Sequence, residues 1–171
     1  MTDFPQAALL IAGFALAHAA WSVSDLPESE LLVPLAVVEQ GGQRHLARFE
    51  AATQEAAIAR GKAAMANDHE SEAWAFAREG TWRSKNGAPS QDVLVVSFWA
   101  RGMRASATLV QPFQRAAGAR HPFQLIGAPW VMDADGHQLR DVQAEAARKW
   151  LLQGVMSHSA VAPLWATWQS P

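Results

Sequence analysis

Apolar and polar positions along this chain fall into an order that occurs twice. An apolar helical stretch, Pro5 to Trp21, precedes a strand pair, Leu31 to Glu50. A second helical stretch, Thr53 to Asn67, precedes a second strand pair, Ala73 to Arg101. Helices interleaved with hairpins predict an α+β domain with a mostly antiparallel sheet. Side-chain identity between the two units is negligible, so the order is a repeated architecture and not a duplicated sequence.

The first helix is expected from Pro5 to about Val23. Pro5 is tolerated in a first turn, and Asp3 lies close enough to help the N-terminus. The polar segment Ser24 to Glu30 is a loop. Pro34 cannot donate to a ladder, so the strand over Leu31 to Gln40 lies at a sheet edge or begins after the proline. Gly41-Gly42 is a two-residue hairpin signal before the return strand Gln43 to Glu50. Thr53 is an N-cap, with Glu55 in the first turn of the helix that follows. Ala56, Ala57, Ile58, Ala64 and Met65 give that helix an apolar face, and Asn67-Asp68 ends it. Gly61 costs the helix about 1 kcal/mol relative to alanine, a cost that close packing on a sheet would explain.

Trp74, Phe76 and Trp82 share one parity, with Arg78 and Gly80 between them, while Ala73, Ala75 and Ala77 share the other. One face of this strand is therefore large and aromatic, and the other is small enough for a helix to approach closely. Asn86-Gly87 turns the chain within the longer loop Ser84 to Gln91. Val93 to Ala100 is apolar at nearly every position, which places it centrally with both faces covered. A further strand runs from about Ala105 to Phe113. An interrupted strand follows over Phe123 to Ile126 and Pro129 to Met132, then a turn at Asp133 to Gly136. A helix is expected from Leu139 to Gln153, with Gly154 placed to end it. Trp165 and Trp168 in the apolar tail would share one side of a helical turn. The expected fold is a single domain over residues 1–171. Its curved antiparallel sheet has five or six strands packed by about three helices, mainly on one face, and the first helix is the most buried element.

Composition narrows the class. The chain has 171 residues, 50% of them hydrophobic and 18% charged, which suits one globular domain with a sizeable core. Cysteine is absent, which removes disulfides, thiolate metal sites and thiol catalysis. The formal net charge of −2 supplies no global field for nucleic acid. Tyrosine is absent and arginine outnumbers lysine, a compositional habit without functional content. The apolar run within residues 1–19, with Ala17-His18-Ala19 near its end, resembles a signal peptide. No Lys or Arg precedes it, and Asp3 has the wrong sign. It is also too short and alanine-rich for a membrane span of about 20 residues. A cytoplasmic protein without a membrane partner is the expectation.

Few residues offer chemistry. Asp133, Asp135 and Gly136 echo a calcium loop, but the fifth and twelfth positions are His137 and Ala144, so a tight turn explains them better. The six histidines, at 18, 45, 69, 121, 137 and 158, show no metal-ligand spacing. His18 reads as a core histidine bonded to a backbone carbonyl. Ser157 and Ser159 flank His158, where capping a helix is their simplest role. No GxSxG, P-loop or GxGxxG occurs. Catalytic residues, metal and cofactor are therefore expected to be none.

Arg101 and Arg104 flank a turn at one sheet end and could grip an anion, their ordinary alternative being pairs with acidic groups elsewhere. Trp74, Trp82, Trp99 and Trp130 all fall on expected strands. They are core residues first, but a curled sheet would let them line an apolar pocket. Trp165 and Trp168 could dock on a second subunit. The leading expectation is a non-catalytic interaction or small-ligand-binding domain that self-associates and takes a small apolar or anionic ligand. The alternative is a small enzyme using His45, His121 or His137 with a carboxylate partner and an arginine clamp.

Overall fold

The computed structural model describes residues 3–83, 85–117 and 122–169. Within them the helices are α1 (Gln6–Ser24), α2 (Gln54–Ala66), α3 (Asp141–Met156) and α4 (Trp165–Trp168). The strands are β1 (Leu35–Gln40), β2 (Gln43–Arg48), β3 (Ala73–Trp82), β4 (Gln91–Ala100), β5 (Ala107–Gln114), β6 (Gln124–Leu125) and β7 (Trp130–Met132). They form one antiparallel α+β sheet in the order β2-β1-β3-β4-β5-β6, with β7 also paired to β5. There is one helix and at least one strand more than the sequence predicts. The interrupted last strand separates into β6 and β7 around Gly127, whose φ is +70°, and the terminal tryptophans close the helical turn α4.

Local signals place most boundaries. β1 begins immediately after Pro34 and is an interior strand; the edge belongs to β2. Gly41 and Gly42 both take positive φ, +59° and +76°, as the tight hairpin requires. Thr53 Oγ1 accepts a hydrogen bond from Ala56 N–H at 3.1 Å and caps α2, and Asn67 closes that helix. Pro5 is the residue at the α1 N-cap, with no side-chain cap, so Asp3 does not take the role expected for it.

Register divides every strand between two faces. One face, here the inner face, carries Ala73, Ala75 and Ala77 beside Leu94, Val96 and Phe98, then Leu109 and Phe113. All belong to the main core cluster with α1. The alanines let α1 lie close to the sheet, as the parity of β3 predicts. Contrary to the expectation that this segment is too short and alanine-rich for a membrane span, the nineteen-residue α1 is long and apolar enough to cross one by length and composition; in the fold, eleven of its residues are buried. α3 covers α1 from the other side. The two backbones meet at Gly13 and Gly154: a Cβ on Gly154 would stand 2.2 Å from Leu10 O and 3.1 Å from Gly13 Cα. Gly154 therefore lies inside α3, which continues to Met156, and does not end it as expected. Its lack of a side chain lets two helices touch.

The other face, here the outer face, carries Ala36, Trp74, Phe76, Arg78, Gly80, Trp82, Val95, Ser97 and Trp99. α2 covers only part of it. Gly61 of α2 sits over the Phe76 ring, where a Cβ would fall 2.0 Å from Cε1, and Met65, Trp74, Phe76 and Ala36 form a second small core. The sequence suggests this use of Gly61. β4 is central but covered fully only on its inner face, because Val95, Ser97 and Trp99 remain half-buried. Since α1 and α2 lie on opposite faces, the two helix–hairpin units are alike in order and not in arrangement.

Candidate functional site

Register brings all four strand tryptophans to the outer face, in two pairs. Trp74 stands directly across from Trp99 at one end. At the other end Trp82 meets Trp130 edge-on, with ring centroids 5.5 Å apart. The pairs differ in use. Trp99 Nε1 donates to Met103 O at 2.9 Å and holds the β4–β5 turn. Trp82 is 45% exposed. Trp74 is buried beside α2 and borders a cleft of about 260 Å³ lined by Lys62, Met65, Ala66, Trp74, Phe76, Ser97 and Ser106. Aromatic rings and a methionine make its walls, two hydroxyls supply hydrogen-bonding groups, and Lys62 is its single charged group. Arg78 lies on the same face, one row beyond Phe76. Burial lowers the proton affinity of its half-buried guanidinium, and its Nη1 donates to Glu79 O at 3.2 Å.

Arg101 and Arg104 do not join the tryptophans. Arg101 is exposed, and its backbone N–H is held by Glu72 O at 2.9 Å. Arg104 lines a different cleft, of about 320 Å³, together with Asp3, Asp133 and Asp135. Those three carboxylates share the lining with the one arginine, so the cleft as a whole is acidic. Asp133 forms the expected turn: its Oδ1 accepts from Asp135 N–H and His137 N–H, both at 2.9 Å. These backbone bonds, that from His137 first, hold the Asp133 carboxyl below the usual carboxylate range.

Trp165 and Trp168 are buried within their own chain. Trp168 packs edge-on against Phe123 at 5.1 Å, and Trp165 meets Trp168 at 6.3 Å. The expectation that they dock on a second subunit is corrected on this ground: α4 folds back on the inner core, and the rings have little surface left to offer.

His45 is exposed on β2, His137 is exposed with Asp133 Oδ2 at 3.7 Å, and His121 lies outside the described residues. Of the His137–Asp133 pair, Asp133 lines the Arg104 cleft, together with Asp135, and His137 stands outside its lining.

Two contacts escape sequence reasoning. The first joins His18 and His158, 140 positions apart, with His18 Nδ1 3.0 Å from His158 Nε2. His18 thus bonds to another imidazole and not to the carbonyl expected. Phe14 and Trp21 pack on His158 at 5.0 and 5.6 Å between centroids. The outer nitrogens, His18 Nε2 and His158 Nδ1, are buried without partners. Two neutral imidazoles carry two N–H groups, one of which bridges the pair. The pair therefore leaves one N–H and one lone pair buried and unsatisfied. Burial holds both histidines below the usual imidazole range; for His18 the neighbouring His158 and Arg48 act in the same direction. The second contact is the buried ion pair of Glu79 Oε1 with Arg115 Nη2, to which Leu32 N–H adds a 2.7 Å bond. It ties β3, the end of β5 and the loop before β1 together. Nothing in the local sequence signals either contact, because each depends on long-range packing.

Comparison with protein-family models, with curated proteins and with solved structures finds no match.

Proposed function

We propose that this chain is a non-catalytic small-ligand-binding domain. Its ligand is a small, flat apolar anion held on the outer face of the sheet between α2 and β4. One observation carries the reading: a cleft walled by Trp74, Phe76 and Met65 has Lys62 as its only charge and the hydroxyls of Ser97 and Ser106 within its lining. Ligand sites join an apolar lining to a few orienting polar groups in this way. The volume of about 260 Å³ is below the usual range of about 300–1,000 Å³, which points to a ligand near the size of one aromatic ring with a carboxylate.

Titration of the full chain with benzoate and with benzamide, followed by saturation-transfer NMR, tests this. Benzoate should bind more tightly than benzamide. Lys62→Gln should remove the difference, and Trp74→Ala or Ser97→Val should weaken both. Equal binding of the two probes, or binding untouched by all three substitutions, would refute it.

A second reading is self-association through the free end of the same face. It rests on the exposure of Trp82 and its edge contact with Trp130. Under this reading Trp82→Glu abolishes any concentration-dependent rise in solution mass. The burial of α1 supports its role as a core helix of the folded domain.

A further inference from the structure

β2 is the edge of the sheet, and all six of its residues are exposed. The two-residue hairpin fixes which backbone groups face outward. Gln40 and Gln43 close the turn, so His45 and Ala47 direct their N–H and C=O groups toward β1. Phe49 N–H follows the same alternation and donates to Pro34 O at 2.9 Å. The groups of Arg44, Leu46 and Arg48 therefore point away from the sheet and form an empty half-ladder.

The side chains of the same three residues lie on the inner, α1-facing side, opposite Glu39, Val37 and Leu35. They read arginine, leucine, arginine. The Arg44 guanidinium lies 4.9 Å over the Phe14 ring, and its ion pair to Glu39 uses Nε alone, at 3.3 Å. Leu46 is 45% exposed and Trp21 37% exposed. The charge of Arg48 is felt at His18, and no acidic residue occurs within β2.

We propose that β2 is a strand-addition site for an extended acidic segment of a partner protein, one that carries carboxylates two residues before and two residues after an apolar side chain. An antiparallel strand added at this edge places its residues opposite Arg44, Leu46 and Arg48 on one face, and the backbone ladder supplies affinity while this alternation supplies selectivity. A second copy of the chain fits poorly. The register that pairs all three outward residues of two β2 strands sets Arg44 of each copy against Arg48 of the other, and like charges directly opposite are destabilising. Exposed, basic edge strands commonly guard against self-pairing in this way. This site is separate from the Trp74 cleft and stands independently of it.

The test uses the full chain and two labelled seven-residue peptides in a threonine background. One has glutamates two positions either side of a central valine, and the other has lysines in those places. Fluorescence anisotropy should show binding of the glutamate peptide alone, weakening with added salt. In the Arg44→Glu/Arg48→Glu variant the preference should switch to the lysine peptide, with a loss of about an order of magnitude or more for the original. Arg44 and Arg48 are surface residues, and circular dichroism of the variant verifies its fold. Hydrogen exchange should slow at the amides of Arg44, Leu46 and Arg48 when the glutamate peptide is bound. Absence of binding at millimolar peptide, or binding indifferent to the charge reversal, would overturn the proposal. So would protection of those amides in the free protein together with a concentration-dependent dimer, which would assign the edge to a second copy.

Discussion

Replacing Gly154 with alanine tests how the inner layer is assembled. In an isolated helix the change favours folding, since alanine is better than glycine by about 0.8–1 kcal/mol in a helix interior. In this protein the added methyl would stand 2.2 Å from Leu10 O, 2.9 Å from Leu10 C and 3.1 Å from Gly13 Cα. These neighbours are backbone atoms of a buried helix, so no rotamer change can yield. α1 and α3 must separate by about an ångström to restore ordinary contact, which loosens contacts along the whole crossing. Overpacking costs about 1–3 kcal/mol, occasionally more, and an unyielding backbone places this case at the upper end. Less the propensity gain, the net loss is about 2 kcal/mol, or about 4–8 °C in Tm for a domain of this size. Thermal and urea unfolding followed by circular dichroism measure it. Gly13→Ala should behave alike, because its Cβ would fall 2.1 Å from Leu151 O. The double variant should lose less than the sum, since one separation relieves both contacts. A Gly154→Ala protein as stable as the parent, or more stable, would show that the crossing is not close-packed and would refute the argument.

Gly61→Ala should also destabilise, by about 1–2 kcal/mol, by displacing the Phe76 ring; in a Phe76→Leu background the same change should become neutral or stabilising, as paired urea titrations would show. Glu79→Leu should cost about 3–5 kcal/mol by leaving the Arg115 guanidinium buried without its partner, and adding Arg115→Met should recover most of the loss in chemical denaturation. For the His18–His158 pair the pH dependence has a definite sign. Both groups bind protons less readily folded than unfolded, so the unfolded chain takes up more protons below its imidazole pKa of about 6.5. Stability is therefore full above that pH and falls as pH drops below it. Urea midpoints at pH 7.5 and 5.5 should differ, and the difference should shrink in a His18→Gln/His158→Gln variant; an unchanged difference would locate the dependence elsewhere.

The sequence by itself determined what depends on neighbours along the chain. Pro34, Gly41-Gly42, the Thr53 cap and Asp133 to Gly136 act through local backbone geometry and local hydrogen bonds, and each stands where the pattern puts it. The period of two in β3 separated small from aromatic residues correctly, because alternation is a property of the strand alone. Only the tertiary structure decided which partner each face would meet. Nothing local sends α2 to the face opposite α1, turns Gly154 from a helix stop into a helix crossing, folds Trp168 onto Phe123 with Trp165 beside it, or gathers four tryptophans on one face while Arg104 lines a separate cleft. The His18–His158 contact shows the same limit most directly. It spans 140 positions, and two imidazoles that far apart meet only because α3 packs across α1, an arrangement set by the summed burial of many side chains and encoded in no single segment.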